Sequence, residues 1–123
     1  MSKKEKILIC DDEEGIRESL KLILENNYDL VFSCSGQECL EKLNKDKNIR
    51  LVLIDIKMPK QNGIEITREI KRLYPALPII IVTGYASSEI ALEATSAGAS
   101  DYIVKPFESK EILAKINSLF QSK

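Results

Sequence analysis

Apolar residues along the chain fall into two alternating patterns, short continuous runs and longer stretches with a helical period. The continuous runs predict strands buried on both faces, at 6–10, 28–34, 49–55, 78–84 and 101–107. Between them, apolar positions spaced three and four residues apart predict helices over 13–26, 36–43, 64–73, 87–97 and 108–120. This strict alternation of five strands and five helices predicts a three-layer α/β fold, a doubly wound parallel sheet between helices, as one domain over residues 1–123.

Polar residues follow four of the five predicted strands at their carboxyl ends: Asp11 and Asp12, Asp55, Thr83 and Gly84, and Lys105. Open α/β sheets bind ligands outside these ends, at the point where the strand order reverses. Each residue also has a structural interpretation, such as helix capping by the acids at 11–14 or a turn at Thr83 and Gly84. Four strands that end in such residues at one edge nevertheless favour a functional site, with Asp55 at the exposed carboxyl end of its strand.

The residue types at this edge indicate a chemistry. Three carboxylates placed together repel one another and raise one another's pKa values unless a cation lies among them. Mg²⁺ fits best, because it is a hard ion that takes few carboxylates and keeps several waters. A divalent ion beside a carboxylate, an ammonium group and a hydroxyl group is suited to phosphoryl transfer, with Asp55 as the nucleophile that forms an aspartyl-phosphate.

Composition excludes several other functions. The 123 residues include 18 Lys and Arg against 19 Asp and Glu, so no basic excess predicts binding to nucleic acid or to an anionic membrane. The sequence has no histidine and its three cysteines form no CxxC pair, which excludes histidine-based catalysis and the usual zinc sites. No apolar run approaches the ~18 residues of a membrane span, and the first residues lack a signal core, so a reducing cytoplasm is the expected location.

Five segments, in their order and spacing, resemble the receiver domains of two-component response regulators across essentially the whole chain: ILICDDEE, LVLIDIKMP, NGIEI, IIIVTGYAS and AGASDYIVKPF. The resemblance implies a flavodoxin-like fold, similar to the chemotaxis regulators, with strand order 2-1-3-4-5. It also implies a bacterial, cytoplasmic phosphoprotein of a phosphorelay. Such a protein is a signalling phosphoacceptor that catalyses only its own phosphotransfer and autodephosphorylation.

The same resemblance implies an acceptor and a metal site. Asp55 would take a phosphoryl group from a histidine of a kinase. Asp12, Asp55 and the main-chain carbonyl of Lys57 would bind Mg²⁺ directly, whereas Asp11 would act through a bound water.

Phosphate contacts and a switch are implied as well. Lys105 and Thr83 would contact the phosphoryl oxygens, with Lys57 and Gly84 also beside the phosphoryl group, and the peptide bond that follows Lys105 would be cis. As Thr83 moves onto the phosphoryl group, Tyr102 would turn inward. The surface formed by the fourth helix, fifth strand and fifth helix would then change, and a partner would sense the change.

The implied partners are a sensor histidine kinase or a histidine phosphotransfer protein upstream and an output protein or domain downstream. Docking of the kinase would use Gly15, Ile16, Ser19, Pro106 and Phe107. The chain would be a monomer or a weak phosphorylation-dependent dimer, with no direct nucleic-acid or membrane partner. Its first residue and short tail favour a stand-alone receiver, although a fragment of a longer regulator would look the same.

Three alternatives stay open. A Mg²⁺-dependent phosphohydrolase with an aspartyl nucleophile would need an acid two residues after the nucleophile, where this chain has Lys57. A flavin-binding module would need a Ser/Thr/Gly-rich phosphate loop where the acids 11–14 stand. A receiver-like binding module that is never phosphorylated would not need the complete set of site residues. Within the main interpretation, Lys57 and Tyr85 would flank the path of attacking water and slow autodephosphorylation.

Overall fold

A computed structural model describes residues 4–58, 60–84 and 87–121. The strands are β1 Glu5–Cys10, β2 Tyr28–Ser33, β3 Ile49–Ile54, β4 Lys57–Met58, β5 Gln61–Asn62, β6 Ile79–Thr83 and β7 Asp101–Val104. The helices are α1 Glu14–Leu24, α2 Gly36–Lys45, α3 Gly63–Leu73, α4 Ser88–Ser96 and α5 Ser109–Gln121. Within the described residues, no helix is long and apolar enough to cross a membrane.

Five of the strands form one parallel sheet in the order β2-β1-β3-β6-β7. Counted along the sheet strands alone, this is the order 2-1-3-4-5, so the predicted fold is confirmed. The strand order reverses between β1 and β3, which are neighbours with Cys10 opposite Ile54. The residues that follow these two strands therefore emerge side by side.

The two faces of the sheet carry separate hydrophobic clusters. Along β3, Val52 and Ile54 belong to the cluster covered by α2, α3 and α4, whereas Leu51 and Leu53 belong to the cluster covered by α1 and α5. All four side chains are buried, because alternate residues of a strand point to opposite faces. Helices therefore cover both faces of the sheet at β3, as the continuous apolar run predicts.

The strict alternation predicted from the sequence is wrong at one point. A two-stranded antiparallel hairpin, β4 with β5, lies between β3 and α3. Met58 is buried there, Lys60 has a positive φ of 71°, and the side chain of Asn62 caps α3 by accepting a hydrogen bond from the Ile64 N–H. Strands of two residues have no readable period, and Pro59 and Gly63 in this segment are typical only of a turn. Pro59 itself lies outside the described residues.

The last sheet strand is shorter than the sequence pattern predicts. It ends at Val104 rather than at residue 107. Pro106 has no N–H to donate to a neighbouring strand, so the ladder cannot continue through it. Lys105 thus lies directly after the strand, and its N–H still donates a hydrogen bond to the carbonyl oxygen of Thr83 at 2.8 Å.

Gly63 offers a test of how tightly the hairpin packs against the end of β3. Its N–H donates to the Ile56 carbonyl at 2.7 Å, and a Cβ there would overlap the Asp55 carbonyl and lie 2.8 Å from the Ile56 Cα. We predict that Gly63→Ala lowers the free energy of unfolding by about 3 kcal/mol, because rigid backbone would have to move. Gly15 has open space around its Cα, so Gly15→Ala should instead raise it by about 0.5 kcal/mol. Urea denaturation measures both, and a Gly63→Ala variant as stable as the wild type would contradict this packing.

Candidate functional site

The three predicted metal-site acids converge at one edge of the sheet. Asp11 and Asp12 follow β1 and Asp55 follows β3, and one carboxylate oxygen from each lies within 4.8 Å of the others. The sheet ladder extends into this edge, since the Asp11 N–H donates to the Ser33 carbonyl at 3.1 Å and the Asp55 N–H to the Cys10 carbonyl at 3.0 Å. The positions of Asp11 and Asp55 are therefore fixed by hydrogen bonds that continue the sheet ladder.

The expectation that Asp55 is exposed is wrong. Its side chain is only 4% exposed and that of Asp11 only 3%, whereas Asp12 lies at the surface. The ammonium group of Lys105, which follows β7, lies 3.2 Å from the Asp55 carboxylate. Two carboxylates are thus held close together with little access to water, an arrangement that needs positive charge.

Lys105 supplies positive charge to both buried carboxylates and to one more acid. Its Nζ lies 3.0 Å from Asp11 Oδ2, 3.2 Å from Asp55 Oδ2 and 3.1 Å from Glu13 Oε1. An ammonium group has three N–H donors, so the three carboxylates use all of them. Burial alone would lower the pKa of Lys105. The nearby carboxylates of Asp11, Glu13 and Asp55, of which Asp11 has the largest effect, raise this pKa well above its usual value. Lys105 is therefore charged under all ordinary conditions.

The acids still carry more negative charge than Lys105 can balance. Burial raises the pKa of Asp11 above its ordinary value, even though the N–H of Glu13 and the ammonium group of Lys105 oppose the shift. The negative charge of Asp55 adds to the increase in this pKa. A divalent cation with a preference for carboxylate oxygen would relieve this repulsion, and Mg²⁺ has that preference. The donor set therefore fits the predicted ion.

A cavity of about 280 Å³ opens beside these acids. It is lined by Asp12, Glu13, Asp55, Lys57, Thr83, Gly84 and Lys105. A water molecule takes about 30 Å³ in the liquid, so the cavity has room for a phosphoryl group and several waters. Thr83 is fully buried at the end of β6, Gly84 is exposed, and a Cβ on Gly84 would meet nothing within 4 Å. The predicted phosphate-contacting residues thus share one cavity with Asp55, whereas Asp11 is not part of its lining.

Lys57 and Tyr102 take different places around this cavity. The Lys57 side chain is exposed at the cavity wall, and its N–H lies 3.4 Å from Asp55 Oδ1. Tyr102 is half-buried on β7 opposite Ile81 of β6, and it packs against the hydrophobic cluster on the α4 side of the sheet. Tyr85 lies outside the described residues. The peptide bond between Lys105 and Pro106 is cis, as predicted.

The residues predicted to dock a kinase lie on two elements at the same end of the sheet. Gly15, Ser19 and Pro106 are exposed, while Ile16 and Phe107 are half-buried against the hydrophobic cluster shared by α1 and α5. The segment after β7 and the start of α1 are thus linked through one cluster. Their role in docking stays a prediction.

Glu13 is the site residue that the sequence analysis missed. The sequence pattern gives Glu13 only the part of a favourable acid at a helix start, yet its carboxylate lies 3.1 Å from the Lys105 ammonium group. Glu13 occupies the N-cap position of α1, but its side chain makes no capping hydrogen bond. Glutamate is a poor N-cap compared with Asp, Asn, Ser or Thr, and this mismatch is the sequence signal that could have identified it.

Removal of Lys105 tests its role as the shared counter-ion. We predict that Lys105→Met lowers the free energy of unfolding at pH 7 by about 3 kcal/mol, because two buried carboxylates lose their cation. The pKa of Lys105 is raised, so its stabilising contribution is complete at neutral pH and is lost only in strongly alkaline solution. The pKa of Asp11 is also raised, so Asp11 becomes neutral at a higher pH than in the unfolded chain, and the effect of the substitution should shrink in acid.

The control is Lys115, whose ammonium group lies 3.0 Å from Asp101 in a pair that is about one-third exposed. Lys115→Met should cost less than about 1 kcal/mol, because solvent screens an exposed pair. Chemical denaturation at pH 7 and in acid without divalent ions measures both variants. Equal losses for the two lysines would contradict the assignment of Lys105 as a buried counter-ion.

Comparisons with known proteins agree with the geometry. The family model described as the response regulator receiver domain matches residues 7–117. The response regulator MprA of Mycobacterium leprae is 37% identical over 117 residues, which cover 94% of this chain and 51% of MprA. The chain thus spans about half the length of the curated relatives that it matches.

Solved structures give the same result. A CheY-like response regulator receiver domain from Methanospirillum hungatei superposes with a TM-score of 0.91 at 36% identity, over 97% of this chain and 95% of that one. The BeF₃-activated receiver domain of DrrB, a Thermotoga maritima regulator, superposes with a TM-score of 0.87 at 28% identity, over 97% of this chain and 99% of that one. The chain belongs to the response regulator receiver domain family of two-component signalling.

Proposed function

We propose that this receiver domain is a phosphoacceptor that takes a phosphoryl group onto Asp55 from a phosphohistidine, either of a sensor histidine kinase or of a histidine phosphotransfer protein. The observation that carries the proposal is the position of the Asp55 carboxylate. It borders the 280 Å³ cavity with Lys105 at 3.2 Å and two further aspartates within 4.8 Å. The carboxylate that we propose as the nucleophile thus lies close to the ammonium group and to the acids that we propose as ligands of the metal.

The chemical step needs little from the protein beyond positioning and charge. A carboxylate oxygen of Asp55 forms a bond to phosphorus as the P–N bond to the donor imidazole breaks. The imidazole nitrogen keeps the electron pair of that bond and takes up a proton. The ammonium group of Lys105 stabilises the negative charge on the phosphoryl oxygens, and the hydroxyl group of Thr83 lies on the same cavity wall.

The residues that would hold Mg²⁺ are Asp12, Asp55 and the main-chain carbonyl of Lys57, with Asp11 acting through water. The different burial of the two neighbouring acids supports this division. Asp12 lies at the surface and lines the cavity, whereas Asp11 is buried and already bonded to Lys105. When bound, Mg²⁺ neutralises charge on the phosphoryl oxygens and on the acids.

A phosphohydrolase is the weaker candidate. Such an enzyme would use a second acid two residues after the nucleophile, and that position holds the exposed Lys57. We therefore propose that catalysis is limited to the domain's own phosphotransfer and autodephosphorylation. The signalling role of the relatives supports this, as does the complete set of site residues, which a receiver-like binding module would not need.

Phosphorylation would change a second surface through Thr83 and Tyr102. A hydrogen bond from the Thr83 hydroxyl to the phosphoryl group would favour one arrangement of α4. Thr83 pairs with Val104 in the ladder between β6 and β7. Tyr102 lies two residues before Val104, on the α4 side of the sheet. The surface formed by α4, β7 and α5 would then present a different shape to a partner, with Leu92 of α4 already 69% exposed.

The partners follow from this scheme. A kinase or phosphotransfer protein would dock on Gly15, Ile16, Ser19, Pro106 and Phe107, next to the cavity. An output protein or domain would bind the α4–β7–α5 surface. The chain spans about half the length of its curated relatives. We therefore propose the output partner only as a class, and not by its identity. We propose a cytoplasmic monomer or weak phosphorylation-dependent dimer that does not itself contact nucleic acid or membrane.

Intact mass spectrometry tests the acceptor. After incubation with acetyl phosphate and Mg²⁺, the wild type should gain one phosphoryl group, and Asp55→Asn should gain none because its amide is not a nucleophile. Asp101→Asn removes an acid that pairs with Lys115 outside the cavity and should be labelled like the wild type. Omission of Mg²⁺ should abolish labelling. A wild type that takes no Mg²⁺-dependent phosphoryl group, or an Asp55→Asn variant labelled equally, would overturn the proposal.

Thr83→Ala tests the switch. This variant should still bind beryllofluoride with Mg²⁺, but amide NMR shifts on α4, β7 and α5 should move less than about half as far as in the wild type, since the new hydrogen bond is missing. The exposed Thr95, whose hydroxyl donates to the Ala91 carbonyl, provides the control. Thr95→Ala should respond like the wild type, and a full response in Thr83→Ala would refute the proposed coupling.

A further inference from the structure

The three acids that bind Lys105 differ in how firmly they are held. The side chains of Asp11 and Asp55 are 3% and 4% exposed, but that of Glu13 is 61% exposed. Asp11 Oδ1 also accepts a hydrogen bond from the Glu13 N–H at 2.9 Å, and Asp55 is anchored to the sheet through its own N–H. Within the described residues, Lys105 is the one partner that the structure gives for the Glu13 carboxylate. Glu13 is therefore the most easily released of the three.

The position of Glu13 in its helix makes the contact with Lys105 informative. An N-cap side chain normally accepts a hydrogen bond from the first turn, and Ser35, Asn62 and Ser87 do so at the starts of α2, α3 and α4. Glu13 makes no such bond to α1. Its carboxylate instead lies on the solvent side of Lys105 and forms part of the cavity wall. A side chain whose only role was to cap α1 would accept a hydrogen bond from its first turn rather than contact Lys105.

A phosphoryl group that contacts Lys105 must replace one of these acids. All three N–H donors of the ammonium group are taken, so a new oxygen can be bonded only if a carboxylate leaves. Asp55 carries the phosphoryl group itself, so the acid displaced is Asp11 or Glu13. The buried Asp11 carboxylate would lose its partner without gaining water, which costs free energy. The Glu13 carboxylate can move into solvent and be hydrated, so its release costs least.

We propose that Glu13 occupies the phosphoryl-facing donor of Lys105 in the unphosphorylated domain and is displaced when a phosphoryl group binds. Glu13 is then a positioning residue that acts through Lys105. Because its carboxylate holds a donor that a phosphoryl oxygen would use, it competes with the phosphoryl group and so weakens its binding. This inference rests on the proposed function and adds a residue that sets how readily the site is filled.

Beryllofluoride binding with Mg²⁺ measures this competition at equilibrium. Glu13→Gln should bind beryllofluoride about two- to fivefold more tightly than the wild type, the range expected when an exposed ion pair no longer has to be broken. Glu14→Gln removes the same charge one residue further along α1 and is the matched control. It should bind like the wild type. Titration calorimetry gives the affinities, and circular dichroism checks that both variants are folded.

Kinetics with acetyl phosphate provides a second readout that a structural role would not produce. Glu13→Gln should lower the concentration of acetyl phosphate that gives half the maximal rate, also by about two- to fivefold, with the maximal rate unchanged. Unchanged or weaker beryllofluoride binding by Glu13→Gln would overturn the inference. Equal tightening in Glu14→Gln would also overturn it, because net charge rather than the contact would then explain the effect.

The outcome for the wild type separates this inference from the proposed function. A wild type that binds beryllofluoride and is labelled by acetyl phosphate, with Glu13→Gln no different, would refute the role of Glu13 and leave the acceptor role of Asp55 standing. A wild type that neither binds beryllofluoride nor is labelled would overturn the proposed function, and the role of Glu13 with it.

Discussion

The ammonium group of Lys105 is bonded at once to Asp11, Glu13 and Asp55, and the arrangement of the site depends on this interaction. The parallel sheet brings Asp11 and Asp55 together because β1 and β3 are neighbours whose carboxyl ends meet at one edge. Burial makes two adjacent carboxylates unfavourable, and Lys105 offsets only part of their charge. The remaining negative charge suits the site to a divalent cation and, with that cation, to a phosphoryl group.

Much of this arrangement could be predicted from the sequence, for physical reasons. A run such as Leu51–Ile54 is apolar at every position because β3 is buried on both faces, so the strand is easily identified. Strands that alternate with helices along the chain are typical of a parallel sheet. The carboxyl ends of parallel strands lie at one edge, which brings Asp11, Asp12 and Asp55 together. The cavity that also includes Thr83 and Lys105 follows from the same rule. The individual roles of these residues came from the resemblance to receiver domains.

Other features depend on contacts between distant parts of the chain and are not visible locally. The Asp55 carboxylate is buried, and it pairs with Lys105, which lies fifty residues away in the sequence. The hairpin of β4 and β5 contains too few residues to show a period, and it is held by Gly63 against the end of β3. Glu13 is consistent with a helix start, and only its contact with Lys105 reveals a second role. Local patterns thus define the strands, the helices and the edge of the sheet where the site lies. Contacts between distant residues determine which side chains at that edge are buried or paired.

Chemical identification of the phosphorylated residue tests the central claim most directly. Borohydride reduces an acyl phosphate to an alcohol, so a phosphorylated aspartate becomes homoserine and can be located by peptide mass spectrometry. After treatment with acetyl phosphate and Mg²⁺, this account predicts homoserine at position 55 and an unmodified peptide containing Asp11 and Asp12. Homoserine at position 11 or 12, or labelled protein with no homoserine at any position, would contradict it.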